Sequence, residues 1–122
     1  MIVGIGIDCE EIERWIGLSA AAVSDPRHSL FSESEHIYCS SNVRPEQHYA
    51  GRWCLKEAAV KALAGRISIT PRDVEVRHVP NASPEILIRA LSCLPERVAL
   101  MTSVTHSEKM AAAVVIAEIR EG

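Results

Sequence analysis

Long hydrophobic runs and clusters of basic residues are both missing from this sequence. No apolar stretch reaches the roughly 20 residues that a membrane-spanning helix requires. The apolar N-terminal run has no basic segment before it and leads directly into Asp8, unlike a secretion signal. The formal net charge is −3, which leaves no basic field for binding nucleic acid. We therefore expect a cytoplasmic protein that binds neither membranes nor nucleic acid.

Paired cysteine motifs are missing too. The cysteines are scattered, and none stands in the Cys-x-x-Cys spacing of zinc sites and redox motifs. They are Cys9, Cys39, Cys54 and Cys93. Free, buried thiols in a reducing compartment are the simplest expectation. With 48% apolar and 24% charged residues, and no repeat or linker, the composition predicts a single domain over residues 1–122.

What the sequence does contain is a strong helix signal over Arg52–Leu63. Good helix formers dominate this segment, and neither glycine nor proline interrupts it. Glu57 and Lys61 are four residues apart, so both side chains project from one face of the helix. By itself such a pair is usually a surface ion pair worth roughly 0.2 to 0.5 kcal/mol.

A short buried strand is predicted at residues 1–7, which are apolar and rich in β-branched side chains. Gly4 and Gly6 fall on one face of it, where a missing side chain allows another backbone or a ligand to approach closely. Asp8 then falls at the carboxyl end of the strand, where α/β proteins often place catalytic groups. The alternative is that Asp8 caps a following helix.

The remaining pattern predicts an α+β fold, in which a small antiparallel sheet packs with one long and two shorter helices. Ser32 and Glu35 form a capping-box signature at the start of the second helix. The small-residue run from Met110 to Ala117 is expected to return antiparallel to the apolar stretch before it. The predicted helices cover about 10–18, 33–40 and 46–64, and the predicted strands 1–7, 73–79, 85–89, 97–105 and 110–119.

Several stretches of the chain carry a resemblance to a known family. They are Gly4–Asp8 with Glu11–Arg14, Phe31–Glu35 with Tyr38 and Cys39, Ala50–Leu63, Asp73–Val76, and Ser103–Ile116. Taken in this order, they resemble the 4′-phosphopantetheinyl transferases, and most closely their short, single-domain class, the holo-acyl carrier protein synthases. Because the stretches cover the chain from end to end, the resemblance implies the fold and the reaction of that family.

The implied reaction moves the 4′-phosphopantetheine arm of coenzyme A to a serine of an apo-acyl carrier protein, in fatty acid or polyketide biosynthesis, and releases adenosine 3′,5′-bisphosphate. Attack on a diphosphate requires its charge to be neutralised, and carboxylate-bound Mg²⁺ suits this task. Asp8 and Glu57 match the metal ligands of the family. Lys61 matches the lysine that offsets charge at the diphosphate or the attacking oxygen. The general base stays open between Glu57 and a water molecule on the metal.

Glu10 departs from the short class, which usually carries an apolar residue at this position. Asp8 and Glu10 together give the Asp-x-Glu pattern of the longer, two-lobed transferases, and synthase-fused transferase domains mix both sets of features. Glu10 is therefore a candidate third metal ligand. The alternative is that Glu10, with Glu11 and Glu13, decorates the first turns of a helix whose positive end favours acidic residues.

Five residues are candidates for contact with coenzyme A. Arg52 and His106 match positions that the family places near the phosphates of the coenzyme, and Ser103 lies in the same matching stretch as His106. Lys56 projects about 100° away from the neighbouring glutamate and suits phosphate or solvent equally well. Gly65 is the single glycine kept where the family has a glycine-rich loop, so fewer backbone contacts with the coenzyme are expected.

The resemblance also implies two kinds of protein contact. Arg14 matches the carrier-docking arginine of the family, and Trp15 and Leu18 beside it are expected to offer apolar contact to an acidic carrier protein. The alternative for Arg14 is an ion pair with Glu10 or Glu11 inside its own helix. A chain this small makes a poor closed pocket for coenzyme A, and the family answers this with homotrimers whose active sites lie between protomers.

Two other functions share part of this pattern. A non-catalytic module that binds coenzyme A or a carrier protein would have the same fold, but the retained Asp8, Glu57 and Lys61 argue against it. A Mg²⁺-dependent nucleotide hydrolase would share the carboxylates but would not explain the ordered family stretches.

Overall fold

The computed structural model describes residues 1–121, and all of its helices and strands lie within this range. The strands are β1 (Ile2–Glu11), β2 (Glu75–Arg77), β3 (Glu85–Leu87), β4 (Arg97–His106) and β5 (Met110–Arg120). The α-helices are α1 (Glu33–Ser40) and α2 (Pro45–Leu63), and short 3₁₀ helices cover Ile12–Trp15, His28–Leu30, Pro71–Asp73 and Arg89–Cys93.

Strands β1, β5 and β4 form one antiparallel sheet with β5 in the middle, and β2 pairs with β3 in a separate hairpin. In the larger sheet Asp8 stands opposite Ala113, and Ser103 stands opposite Val114. Helix α2 lies on one face of this sheet and contacts mainly β1 and β5. The predicted α+β class is therefore confirmed, as is the antiparallel return of β5 on β4.

The two glycines of β1 let the backbone of α2 lie directly on the strand. A Cβ atom added at Gly4 would stand 1.8 Å from the carbonyl oxygen of Ala62, and one at Gly6 would stand 1.9 Å from that of Ala58. No side chain fits in such a space, so the close approach predicted for this face is confirmed. The contact fixes how α2 sits against the residues of β1 that follow Gly6.

The helix predicted at about 10–18 is wrong, because β1 continues to Glu11. Cys9 and Glu10 pair with Ala112 and Ala111 of β5, and this longer ladder outweighs the local helical pattern. A single 3₁₀ turn, Ile12–Trp15, follows the strand. Asp8 consequently lies inside β1 rather than at its carboxyl end, and it caps no helix.

The other elements lie close to their predicted positions. In α1, the Ser32 hydroxyl accepts from the Glu35 amide at 3.3 Å while a Glu35 carboxylate oxygen accepts from the Ser32 amide at 2.7 Å, which confirms the predicted capping box. Strands β2 and β3 are shorter than predicted, since prolines at 80 and 84 in their connection cannot donate to a ladder. Neither α-helix in the described residues has the length and apolar content that crossing a bilayer requires.

The sheet face opposite α2 carries exposed apolar side chains. Ile5 and Ile7 of β1 are 65% and 69% exposed, and Met101 of β4 is 42% exposed. Their partners on β5 across the ladder are Ile116 and Val114. We call these five residues the outer sheet face.

Candidate active site

Alternation along β1 places two acidic residues beside α2. Side chains two positions apart in a strand point to the same side, and Gly4 and Gly6 already contact the helix. Asp8 and Glu10 continue that inner face toward the helix turn that carries Glu57. In keeping with this placement, the charges of Asp8 and Glu57 raise the pKa of Glu10, and the charge of Asp8 raises the pKa of Glu57.

Lys61 lies at the edge of this cluster. Its ammonium nitrogen donates to the carbonyl oxygen of Ile7 at 3.0 Å and lies 3.3 Å from Oδ1 of Asp8. The ion pair of Lys61 is thus made with Asp8, across the contact between β1 and α2, rather than with Glu57 in its own helix. Because the side chain of Lys61 remains 53% exposed, its charge is accessible to a ligand.

The carboxylates make one another harder to ionise. Burial raises the pKa of Glu57, and the charge of Asp8 raises it further while Lys61 opposes the change. Burial also raises the pKa of Glu10, with Arg14 opposing and with Asp8 and Glu57 adding to the rise. A bound cation would relieve this repulsion and keep all three groups ionised.

Glu10 is buried, whereas Arg14 beside it is exposed. Glu10 is 7% exposed, so the idea that it decorates a helix surface is wrong. Nη1 of Arg14 lies 2.6 Å from Oε1 of Glu10, yet this oxygen has no hydrogen-bond partner, because the guanidinium is not aligned for a hydrogen bond. The ion pair foreseen as the alternative for Arg14 is therefore present, although it joins a strand to a 3₁₀ turn rather than lying within a helix.

The donor set fits Mg²⁺ shared between protein and substrate. Mg²⁺ in proteins is usually held by one or two carboxylates together with substrate phosphates and water. Asp8 and Glu57 provide such a pair, and Glu10, whose Oε1 is ion-paired with Arg14, adds a further carboxylate beside them. Within residues 1–121, no three His, Cys, Asp or Glu side chains converge closely enough to hold a metal by themselves.

Cys54 is a neighbour of this cluster that the sequence did not single out. Burial raises its pKa to about 12, with Asp8 and Glu10 adding to the rise. The thiol is therefore neutral at physiological pH and does not act as a thiolate nucleophile. Its Sγ lies 3.5 Å from the carbonyl oxygen of Ala111, where it serves packing between α2 and β5.

The predicted coenzyme residues do not all gather at the carboxylates. His106 is exposed at the end of β4, with Nε2 2.9 Å from the amide nitrogen of the Gln47 side chain, a partner that the sequence did not reveal. Ser103 is exposed on the same side of β4 as the outer sheet face, away from Asp8. Gly65 is exposed just after α2, with nothing within 4 Å of an added Cβ.

Arg52 and Lys56 are buried rather than open to a ligand. The Arg52 guanidinium lies 4.0 Å from the centre of the Tyr38 ring. The ammonium of Lys56 lies 2.9 Å from Oε2 of Glu35 and also donates to the carbonyl oxygen of Val74. Lys56 is only 2% exposed, so the solvent-facing alternative for it is wrong, while its contact with phosphate stays a prediction. The side chain instead fastens α2 to the start of α1 and to the segment before β2.

Trp15 and Leu18 also lie inside the molecule. They are 5% and 3% exposed, and Trp15 packs edge-on against Phe31 with ring centres 5.5 Å apart. The prediction that they offer apolar contact to a carrier protein is therefore wrong, because their side chains complete the core under α2. The exposed apolar neighbour of Arg14 is Ile16, which is 62% exposed.

Arg27 holds the segment around Arg14 in place. Its guanidinium donates to the carbonyl oxygens of Arg14 at 2.6 Å and Ile16 at 3.1 Å. It also pairs with the Asp25 carboxylate at 2.6 Å, and these hydrogen bonds lower the pKa of Asp25 to about 2. Sequence reasoning missed this contact because the two segments are joined only by a loop without a motif.

Two cavities of about 660 and 430 Å³ open on the surface. The larger lies between the start of α1, β2 and the 3₁₀ turn at 89–93, with Lys56 and Glu35 among its lining residues. The smaller lies beside Ile12, Ile16 and Arg44. Neither is lined by Asp8, Glu57 or Lys61. The carboxylate cluster therefore lies outside both of these cavities.

Comparison with known proteins points in one direction. A sequence model of the 4′-phosphopantetheinyl transferase superfamily matches residues 4–115. The holo-[acyl-carrier-protein] synthase of Nitratidesulfovibrio vulgaris strain DP4 is 38% identical over an alignment of 124 positions. The alignment covers 97% of this chain and 99% of that protein.

Solved structures of acyl carrier protein synthases are similar to this chain as well. The acyl carrier protein synthase of Mycobacterium tuberculosis superposes with a TM-score of 0.73 at 31% identity, covering 98% of this chain and 100% of that one. The holo-(acyl-carrier-protein) synthase of Bacillus anthracis, solved in complex with CoA (3′,5′-ADP), gives a TM-score of 0.69 at 28% identity and covers 96% of each chain.

Proposed function

This chain belongs to the 4′-phosphopantetheinyl transferase superfamily, and we propose that it transfers the phosphopantetheine arm of coenzyme A to a serine of an apo-acyl carrier protein. The relatives that support this activity are holo-acyl carrier protein synthases of nearly the same length. The observation that carries the proposal is the meeting of Asp8, Glu57 and Lys61 at one end of the contact between β1 and α2. The whole chain, residues 1–122, acts as one transferase domain.

The chemistry joins a serine oxygen to the phosphorus that carries pantetheine. The bond from that phosphorus to the bridging oxygen of the diphosphate breaks, and adenosine 3′,5′-bisphosphate leaves with the electron pair. Asp8 and Glu57 would hold Mg²⁺ at this point, with Glu10 next to them. When bound there, Mg²⁺ supplies positive charge to the diphosphate and polarises its phosphorus–oxygen bonds.

Lys61 and Glu57 have separate tasks in this chemistry. The exposed ammonium of Lys61, fixed by Ile7 and Asp8, offers a compact positive charge to the diphosphate or the leaving oxygen. Glu57 is a carboxylate of this chain at the same place, and in this proposal it accepts the serine proton directly or through a water molecule.

A second copy of the chain is needed to enclose coenzyme A. The two cavities described above are not lined by Asp8, Glu57 or Lys61. The outer sheet face exposes Ile5, Ile7 and Met101, and a cluster of exposed apolar side chains on a small protein indicates a protein contact. We infer a homotrimer formed through this face, in which a neighbouring protomer completes each coenzyme site.

The carrier protein docks at Arg14 in this proposal. Arg14 is 67% exposed, and Ile16 beside it offers the apolar contact that Trp15 and Leu18 cannot. Arg27 fixes the backbone of both residues, so the docking surface is preorganised. We place the reaction in the cytoplasm, since all four cysteines are free, which suits a reducing compartment.

Mass spectrometry of the carrier tests this function. The protein is incubated with coenzyme A, Mg²⁺ and an apo-acyl carrier protein, and the carrier is weighed. A gain of one phosphopantetheine, with release of adenosine 3′,5′-bisphosphate, is the expected result. An unchanged carrier with intact coenzyme would point to a binding module, and an unchanged carrier with cleaved coenzyme would point to a hydrolase.

A further inference from the structure

Arg14 stands between the surface and the carboxylate cluster. Its side chain is 67% exposed, whereas the Glu10 side chain that it contacts is 8% exposed. The two are joined by charge at 2.6 Å without a hydrogen bond. Arg14 is therefore positioned to exchange Glu10 for another carboxylate that reaches it from the surface.

The charge that Arg14 covers lies beside the two proposed metal ligands. Asp8 and Glu10 lie two positions apart on the inner face of β1, about 7 Å along the strand. Glu10 interacts electrostatically with both Asp8 and Glu57, and Arg14 is the cation that offsets it. When Arg14 leaves Glu10, the negative potential at Asp8 and Glu57 increases.

The backbone around Arg14 stays in place when its side chain moves. Arg27 donates to the carbonyl oxygens of Arg14 and Ile16, and Asp25 fixes the Arg27 guanidinium from the other side. The side chain of Arg14 is thus free to turn outward from a fixed anchor. No rearrangement of β1 is required.

From these contacts we propose that an acidic partner docking on Arg14 draws it away from Glu10 and thereby raises the affinity of the Asp8–Glu57 site for Mg²⁺. The inference rests on the proposed function, in which the partner is an acyl carrier protein. Glu10 is a positioning residue in this scheme, because it acts through the charge of its neighbours. The consequence is cooperative binding, so that the metal is held most tightly when the acceptor serine is present.

Thermodynamic linkage makes the proposal measurable without turnover. Mg²⁺ is titrated calorimetrically into the full-length protein, with and without a saturating carrier whose acceptor serine is replaced by alanine. The Kd for Mg²⁺ is expected to fall by about fivefold or more when this carrier is bound. Reciprocity requires Mg²⁺ to tighten binding of the carrier by the same factor. Titration of the carrier alone corrects for Mg²⁺ that it binds itself.

Three variants assign the effect to the Arg14–Glu10 pair. Arg14→Gln should bind Mg²⁺ more tightly than the wild type in the absence of carrier, because Glu10 is no longer covered. Glu10→Gln keeps Arg14 for docking and should lose the coupling. Arg120→Gln is the matched control, since it removes an exposed arginine from an ion pair with Glu118 at the far end of β5 and should keep the coupling.

The proposal is overturned if carrier leaves the Kd for Mg²⁺ unchanged in the wild type, or if Glu10→Gln keeps the full coupling. Should Glu10→Gln fail to fold, as judged by its thermal melt, the carrier-free Mg²⁺ affinity of Arg14→Gln decides the matter instead. An assay of transfer to the native carrier distinguishes failure of this scheme from failure of the proposed function. Transfer without coupling rejects this scheme alone, whereas absence of transfer rejects the proposed function.

Discussion

Single residues decide the chemistry, and Asp8 and Glu57 are the first to test. Asp8→Asn or Glu57→Gln removes one carboxylate of the proposed metal site at nearly constant volume, so no core cavity opens. We expect transfer to fall by about 100-fold or more, as when a group that stabilises reaction charge is removed. Because Asp8 raises the pKa of Glu57, losing either charge relieves repulsion, which in Asp8→Asn offsets the loss of the partly exposed ion pair with Lys61, so the melting temperature should change little. A large loss of melting temperature would instead assign these residues to the fold.

Asp25 offers a residue-level test of the contact that fixes the backbone at Arg14 and Ile16. Its hydrogen bonds with Arg27 lower its pKa to about 2 from an ordinary 3.8. A carboxyl with a depressed pKa in the folded state stabilises the protein above its unfolded pKa, and this stability is lost as pH falls from about 4 to about 2. An NMR titration should give the low pKa in the wild type and an ordinary one in Arg27→Gln. An ordinary pKa of Asp25 in both proteins would show that the Asp25–Arg27 contact does not form in solution.

At the level of elements, the fit of α2 on β1 depends on Gly6. An added Cβ would stand 1.9 Å from the carbonyl oxygen of Ala58, so Gly6→Ala must push the helix off the strand. Overpacking of this kind costs about 1 to 3 kcal/mol of unfolding free energy, measured by denaturant titration. Transfer should also fall in the folded fraction, because Asp8 and Glu57 separate. Gly65→Ala is the control, since nothing lies within 4 Å of its added Cβ and stability should stay the same.

The same elements show how far sequence reasoning reaches. The sequence predicted the close contact at Gly4 and Gly6 and the Ser32–Glu35 capping box, because a missing side chain and a local cap are properties of short segments. The helix predicted at 10–18 was wrong because pairing with the alanines of β5 is a contact between distant parts of the chain. Local periodicity carries no information about such a partner.

The site residues also differ in how far the sequence predicted their positions. Asp8, Glu57 and Lys61 are brought together as the resemblance implied, since one strand and one helix carry them. The burial of Lys56 was not predictable, because its partner Glu35 lies in another helix and was already assigned to the cap. One carboxylate oxygen of Glu35 serves the cap and the other serves Lys56.

For the molecule as a whole, the outer sheet face predicts assembly. Light scattering should report a trimer of 13.4 kDa subunits, and dilution should lower specific activity as subunits separate. Ile7→Glu places a charge at a highly exposed apolar position of that face and should yield an inactive monomer. Val43→Glu changes a fully exposed residue in the loop between the helices and should leave the trimer intact. A fully active wild-type monomer would show that no neighbouring protomer is needed.

Recognition of an acidic carrier is also a property of the whole molecule, because the protein carries a net charge of −3 and would repel such a partner. Attraction must then come from a local positive group, and Arg14, beside Ile16, is exposed on a fixed backbone.

At saturating Mg²⁺, so that metal affinity does not enter, Arg14→Glu should raise KM for the carrier by about tenfold or more. KM for coenzyme A should change little, and the salt dependence of the rate should flatten. Arg120→Glu makes the same change in net charge away from this surface and should leave both KM values near those of the wild type. Equal effects of Arg14→Glu on both substrates, or a similar effect of the control, would place carrier docking elsewhere on the protein.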